Sequence, residues 1–215
     1  MLPLRPSEPL RRFPRLSVAL VAFFLAAELV ARLWPGPREA FLVQVALNPS
    51  HWRASDPAGQ GGLAWIFHPN LWSLGVTLVY LWVFTGRLFE RRPAWLALPI
   101  ALGGTWLSIA FFARIYPTSV VPVLCPEAFV GVLLGMEMRR EIWSNVYTLV
   151  IGPGWIRLLD VPSYVLLFFW FFYLLIGNLA LPDFLGGGPM PYALSMFSFL
   201  FGFAVESALP DSTSP

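Results

Sequence analysis

Long apolar stretches separated by short polar segments dominate the sequence. A membrane-spanning helix needs about 20 mostly apolar residues, and in lipid the backbone must satisfy its own hydrogen bonds, which favours helices. The pattern therefore predicts an all-α integral membrane protein, a polytopic bundle of about six transmembrane helices. The predicted spans are residues 16–34, 63–85, 94–116, 120–138, 164–181 and 190–209.

These spans form one predicted transmembrane domain, residues 16–209. A cytoplasmic segment, residues 1–15, precedes it, and we expect residues 210–215 to form a disordered tail. The first apolar run is longer than the core of a cleavable signal peptide, about 7–15 residues. It also contains Glu28 and Arg32. We therefore expect this run to be retained as the first transmembrane helix.

Composition and charge agree with a membrane protein. Of the 215 residues, 57% are hydrophobic and only 12% are charged, whereas a soluble domain is about a quarter charged. The net charge of +2 and the lack of a basic patch argue against nucleic acid as a partner. The single cysteine excludes an internal disulfide.

Arginine distribution predicts the orientation, because positive loops stay cytoplasmic. With six spans and a cytoplasmic N-terminus, ten arginines fall inside and four outside. We therefore expect both termini in the cytoplasm and the protein in a bacterial cytoplasmic membrane.

Two connections contain apolar or β-branched segments that predict local structure. The first outer loop, residues 35–62, contains EAFLVQVALNP, which predicts a short interfacial helix. The connection at residues 139–163 contains NVYTLVIGPGWIRLL. Its β-branched residues, glycine and proline predict short extended or interfacial structure.

Several short motifs follow one another along the chain. They are Trp52-Arg53 in the outer loop, Phe67-His68 at the second span, Gly86 with Glu90 and Arg91 at its end, VGVLLG (residues 130–135) in the fourth, and Gly202 in the sixth. The chain resembles this superfamily of rhomboid proteases and derlin-type pseudoproteases. The resemblance implies a rhomboid-like topology of six helices with both ends inside.

The same resemblance implies that a protease serine and histidine are lost. Counting back from Gly135 places Glu127 and Ala128 where the family has Ser-Gly. Ser195 or Ser198 lies where the family's histidine is expected, and no histidine follows His68. A serine nucleophile needs a base to take its proton. The sequence therefore predicts a protein that is not an enzyme and has no catalytic residues.

Glu127 is the leading candidate for a contact site. A carboxylate at mid-membrane costs about 2.5–3.5 kcal/mol on insertion scales and should face protein or water. Glu127 could contact a client or carry a proton. Alternatively, it could lie near the outer interface or pair with Arg114. The neighbouring Cys125 is predicted to be a buried apolar residue, and Pro126 to kink the helix or begin its first turn.

His68, Trp52 and Arg53 are the other predicted contact residues. His68 could be an axial ligand of a pigment magnesium or a haem, or a structural residue that hydrogen-bonds at the interface. Glu28 and Arg32, four residues apart on one helix, are predicted to form an ion pair. Glu137, Arg139, Arg140 and Glu141 are predicted to be solvated, and Glu206 to lie at the inner interface.

We expect a non-enzymatic rhomboid-like protein that scaffolds or contacts other transmembrane proteins and membrane lipids. One alternative is an accessory subunit of a photosynthetic or respiratory complex with lipid or pigment contacts. Another is a small transporter or an intramembrane enzyme. No metal and no resident cofactor are predicted beyond those lipid or pigment contacts.

Overall fold

The structure is a computed structural model that describes residues 2–6, 13–52, 62–152, 155–180 and 190–210. Its described residues are mostly helical and also form one three-stranded antiparallel sheet. The elements in chain order are β1 (Leu2–Pro6), α1 (Arg15–Leu33), α2 (Arg38–Val45), α3 (Leu71–Arg91), α4 (Ala94–Ile115), α5 (Pro126–Glu141), β2 (Asn145–Gly152), β3 (Trp155–Pro162), α6 (Ser163–Ala180) and α7 (Met190–Ala208).

Three of these helices, α1, α3 and α4, are long and apolar enough to cross a membrane. Within the described residues, α6 and α7 contribute shorter apolar stretches, Ser163–Ile176 and Ala193–Ala208. Helix α5 has only 16 residues. The prediction of a helical membrane protein is therefore confirmed, and six spans in a rhomboid-like topology stay a prediction.

Helices α3, α5 and α7 run in the same direction. Ser73, near the start of α3, bonds to Glu127 at the start of α5, and Arg87 near the end of α3 bonds to Glu141 at the end of α5. Arg139, near the end of α5, bonds likewise to Ser207 at the end of α7. We call the end where these three helices begin the α2 end, and the end where they finish the sheet end.

Helices α1, α4 and α6 run the opposite way. Ser17 at the start of α1 bonds to Thr85 in the second half of α3, which places the start of α1 towards the sheet end. On α6, the carbonyl of Leu166 accepts from Tyr80, while the later Tyr173 contacts Trp72 at the start of α3. The six longer helices thus alternate in direction along the chain.

Helix α5 lies at the centre, and every residue from 126 to 138 is buried. It packs most closely on α7 through glycines. A side chain at Gly135 would collide with the backbone of Phe199, and one at Gly202 with the backbone of Val132. Small residues let helix backbones approach this closely in membranes.

Helices α3 and α5 begin later than the hydrophobic pattern predicts. Asn70 caps α3, because its side-chain oxygen accepts a 2.8 Å hydrogen bond from the backbone nitrogen of Ser73. Before α5, Val123 is extended and exchanges two backbone hydrogen bonds of 2.8 Å with Leu47. Pro126 then occupies the first turn of α5, one of the two predicted roles for this proline.

The outer-loop segment EAFLVQVALNP does form a short helix, α2. Its Phe41 and Leu42 are buried in an apolar cluster with Phe67 and Leu124. Helix α2 therefore packs onto the segments that lead into α3 and α5.

The sheet departs from the predicted all-α class. Strands β2 and β3 form a hairpin over the segment predicted to be extended, and β1 pairs antiparallel with β2 from Leu2 opposite Leu149 to Pro6 opposite Val146. Strand β2 follows the end of α5, and β3 leads into α6. The three strands therefore lie at the end of the helix bundle where α5 finishes, which is why we call it the sheet end. The predicted disordered tail lies outside the described residues, apart from Pro210.

Candidate functional site

Glu127 lies in the first turn of α5 and is only 7% exposed. Its Oε1 accepts a 2.7 Å hydrogen bond from the hydroxyl of Ser73 on α3. The Asn70 cap fixes the turn that carries Ser73, so local helix capping positions the donor. Arg114, predicted as one alternative partner, is exposed and forms no ion pair with Glu127.

Aromatic side chains fill the space between α3 and α6 beside this pair. The rings of Trp72 and Tyr173 are 6.3 Å apart, and those of Tyr80 and Trp170 are 6.2 Å apart. The Tyr80 hydroxyl also donates a 2.7 Å bond to the carbonyl of Leu166 on α6. We call Trp72, Tyr80, Trp170 and Tyr173 the aromatic seam.

The aromatic seam reaches the buried carboxylate through Tyr173. Its phenol lies within electrostatic range of Glu127 and also approaches Ser73. A carboxylate, a hydroxyl and a phenol from three helices therefore converge near the α2 end. Such a group can exchange hydrogen bonds with a polar atom that enters between α3 and α6.

Cys125 precedes this turn and takes no part in the polar group. Its thiol is free and fully buried, in a cluster that includes Leu47, Ile109 and Phe112. The prediction of a buried apolar role for Cys125 is therefore confirmed.

A second polar group at the α2 end surrounds Arg38. Its guanidinium donates to Glu28 at 3.0 Å, to the carbonyl of His68 at 2.9 Å and to the carbonyl of Pro69 at 3.1 Å. Arg32 also bonds to Glu28 at 3.1 Å, which confirms the predicted pair. These bonds join α1, α2 and the segment before α3.

His68 is fully buried, with its ring edge-to-face against Phe24. Burial, and secondarily the positive charge of Arg38, lower the pKa of His68 from 6.5 to about 3, so the imidazole is neutral near pH 7. Neither ring nitrogen has a hydrogen-bond partner among the residues that the structure describes. A neutral nitrogen with a free lone pair is the form that binds a metal, and the pigment or haem role of His68 stays a prediction.

Trp52 is half-buried and packs on the apolar cluster around Leu47 and Val123. Its indole nitrogen has no hydrogen-bond partner within the described part of the chain. Arg53 lies outside the described residues. Among the described residues, no hydrogen bond joins Trp52, His68 and Glu127 into one site. The structure instead pairs Glu127 with Ser73, which the sequence motifs did not indicate.

Charged residues at the sheet end form two ion-pair groups, which include Glu141 and Arg140, both predicted to be solvated. Arg87 and Arg91 of α3 both bond to Glu141. Arg92 and Arg140 bond to Glu206 at 2.9 and 2.7 Å.

One carboxylate at the sheet end corrects the sequence interpretation. Glu137 is only 2% exposed, so the prediction that it is solvated is wrong. Glu206 is also only 2% exposed, and its place at the inner interface stays a prediction. The sequence did contain a signal for this network, since arginines at the end of α3 and a glutamate at the end of α5 carry opposite charges. Helices that end at the same depth in the membrane bring such charges together.

The serines of α7 are also buried. The hydroxyl of Ser198 donates a 2.7 Å bond to that of Ser108 on α4. Ser195 is fully buried, and its backbone carbonyl lies against Gly131 of α5. The helices that hold Glu127 and Ser195 are thus direct neighbours.

Comparisons with protein-family models, with curated proteins and with solved structures find no match to this chain.

Proposed function

We propose that this is a non-enzymatic membrane protein, similar to inactive rhomboids, that binds transmembrane segments of other proteins. The neighbouring helices α5 and α7 support this proposal. At the positions that the resemblance assigns to the protease serine and histidine, they carry Glu127 and Ser195 or Ser198. Without the serine–histidine pair at these positions, proteolysis by the rhomboid mechanism is not available.

The observation that carries the proposal is the Glu127–Ser73 hydrogen bond behind the aromatic seam. A buried carboxylate is costly in a membrane and is retained where it makes specific contacts. Here it lies beside Tyr173, at the edge where α3 meets α6. A polar side chain or an exposed carbonyl of a partner helix would find donors and an acceptor at this edge.

The exposed surface formed by the seam residue Trp72 and its neighbours on α6 suits a partner helix. Trp72, Phe168 and Phe172 are exposed on α3 and α6. Apolar surface alone gives no preference for a helix over lipid, so association needs close packing and hydrogen bonds. Rigid rings supply packing area, and the polar group behind them supplies the hydrogen bonds.

Site-specific photocrosslinking in native membranes tests this function. We expect a photoreactive residue in place of Phe172 to form adducts with transmembrane proteins. The matched control places the same residue at Leu29, an exposed position on α1. Equal protein adducts at both positions, or lipid adducts alone at Phe172, would contradict the proposal.

Two substitutions connect the adducts to the buried pair. Ser73→Ala and Glu127→Gln should each reduce protein adducts at Phe172 while leaving the amount of protein in the membrane unchanged. Adducts that persist in both variants would show that the aromatic surface acts without the carboxylate.

The absence of proteolysis is tested separately with a model rhomboid substrate in proteoliposomes. We expect no cleavage. Cleavage that survives Glu127→Ala and Ser195→Ala would show that the motif register or the family resemblance is wrong.

His68 supports a second candidate function, an accessory subunit of a bioenergetic complex. Neither nitrogen of its buried imidazole has a hydrogen-bond partner in the described ranges of the chain. Under this function, the protein purified from native membranes absorbs visible light, and His68→Phe removes the absorption. A colourless preparation without stable partners would exclude this candidate.

A further inference from the structure

An open cavity of about 380 Å³ lies at the sheet end, between the ends of α5 and α7. Its lining combines two arginines, a carboxylate, a hydroxyl and two apolar residues. These are Arg139, Arg140, Glu206, Ser207, Leu209 and Pro210.

The depth of this cavity follows from its contacts with the spanning helices. Arg92 lies in the turn that joins α3 to α4, both long enough to cross a membrane. It bonds to Glu206 in the cavity wall and to the carbonyl of Pro210. A turn between two spanning helices lies at the membrane surface, so the cavity lies at the level of the lipid headgroups.

The charges around the cavity favour an anion. Glu206 is held by Arg92 and Arg140, so its negative charge is compensated within the wall. Arg139 is exposed, donates from Nε to the hydroxyl of Ser207 at 2.9 Å, and forms no ion pair with any described residue. The remaining guanidinium nitrogens of Arg139 can therefore meet a phosphate oxygen in the cavity.

We infer that the cavity binds the headgroup phosphate of an anionic phospholipid. Arg139 holds the phosphate in this arrangement, with Arg140 adding positive charge. Leu209 and Pro210 contact the glycerol and the first acyl carbons. This site is separate from the aromatic seam, which adjoins the α2 end, and does not depend on the proposed function.

Native mass spectrometry of the protein in detergent, with phosphatidylglycerol or phosphatidylcholine added, tests the inference. We expect bound phosphatidylglycerol in preference to phosphatidylcholine. Arg139→Gln should weaken phosphatidylglycerol binding about fivefold, as expected for one arginine beside an anionic surface. Arg139→Lys, which keeps the charge, should stay within about twofold of the unmodified protein.

Arg114→Gln is the matched control, because Arg114 is exposed at the other end of α4. It should leave binding unchanged. An equal loss in Arg114→Gln and Arg139→Gln, or no loss in Arg139→Gln, would overturn the inference.

A competition experiment separates lipid from free anion. Inorganic phosphate at millimolar concentration should not displace phosphatidylglycerol, because the apolar wall contacts only the lipid. Full displacement by phosphate would mean that the cavity is a free-anion site and would overturn the assignment to lipid.

Discussion

Helices α5 and α6 are consecutive helices of the chain, yet they occupy opposite kinds of position. Helix α5 is surrounded by protein, with every residue from 126 to 138 buried. Helix α6 buries Trp170 but exposes Phe168 and Phe172. Glycine and polar residues in α5, against large aromatic residues in α6, account for the difference. Close backbone approach requires small residues, whereas large rings suit an edge that meets lipid or a partner.

The largest effect should follow loss of the close α5–α7 approach. Gly135→Val should destabilise the protein by about 4 kcal/mol, because the new side chain collides with the backbone of Phe199. Gly103→Val is the control, since a Cβ atom added at Gly103 would have no neighbouring atom within 4 Å. Denaturant unfolding in micelles measures both, and similar losses would refute the central role of α5.

The next effect separates the two faces of α6. Trp170→Ala should cost about 3 kcal/mol, because a fully buried ring that contacts Tyr80 is removed. The same unfolding experiment measures the loss. If Trp170→Ala lowers the free energy of unfolding less than Phe168→Ala does, the aromatic seam does not hold α6 in place.

Ser73→Ala should cost about 2 kcal/mol, because it leaves the buried carboxylate of Glu127 without its hydroxyl donor. The double variant with Glu127→Leu removes both polar groups and should recover part of this loss. A double-mutant cycle of unfolding free energies gives the coupling. Additive losses would mean that the hydrogen bond does not stabilise α5 against α3.

Phe168→Ala should change stability least, by less than about 0.5 kcal/mol, because Phe168 is 63% exposed. Thermal unfolding in detergent measures this difference. A large loss would place Phe168 in a packed interface and remove the contrast between α5 and α6.

The pattern of hydrophobic residues predicted where the long helices lie in the sequence, but not how they pack against one another. The predicted third span, 94–116, agrees with α4 to one residue. The predicted second span begins at residue 63, eight residues before the helix begins at Leu71. The error arises because the segment before the Asn70 cap is also apolar. Apolar residues are common to the helix and to the packed segment before it, so hydrophobicity alone does not set this boundary.

The candidate site was predicted in part. Glu127 is the buried carboxylate that the sequence singled out, but its partner Ser73 is 54 residues away in the chain. No local spacing connects the two residues. The pair Glu28–Arg32 was predictable because its partners lie one helical turn apart, whereas Arg38 joins that pair only through the fold.

The pairing of β1 with β2 has a consequence for the order of folding. Residues 2–6 precede α1 in the chain, yet their partners, residues 146–149, follow α5. At ordinary rates of synthesis, on the order of ten seconds separate the synthesis of β1 from that of β2. The sheet therefore forms only after α1 to α5 have been made, and its completion can serve as a measure of correct insertion.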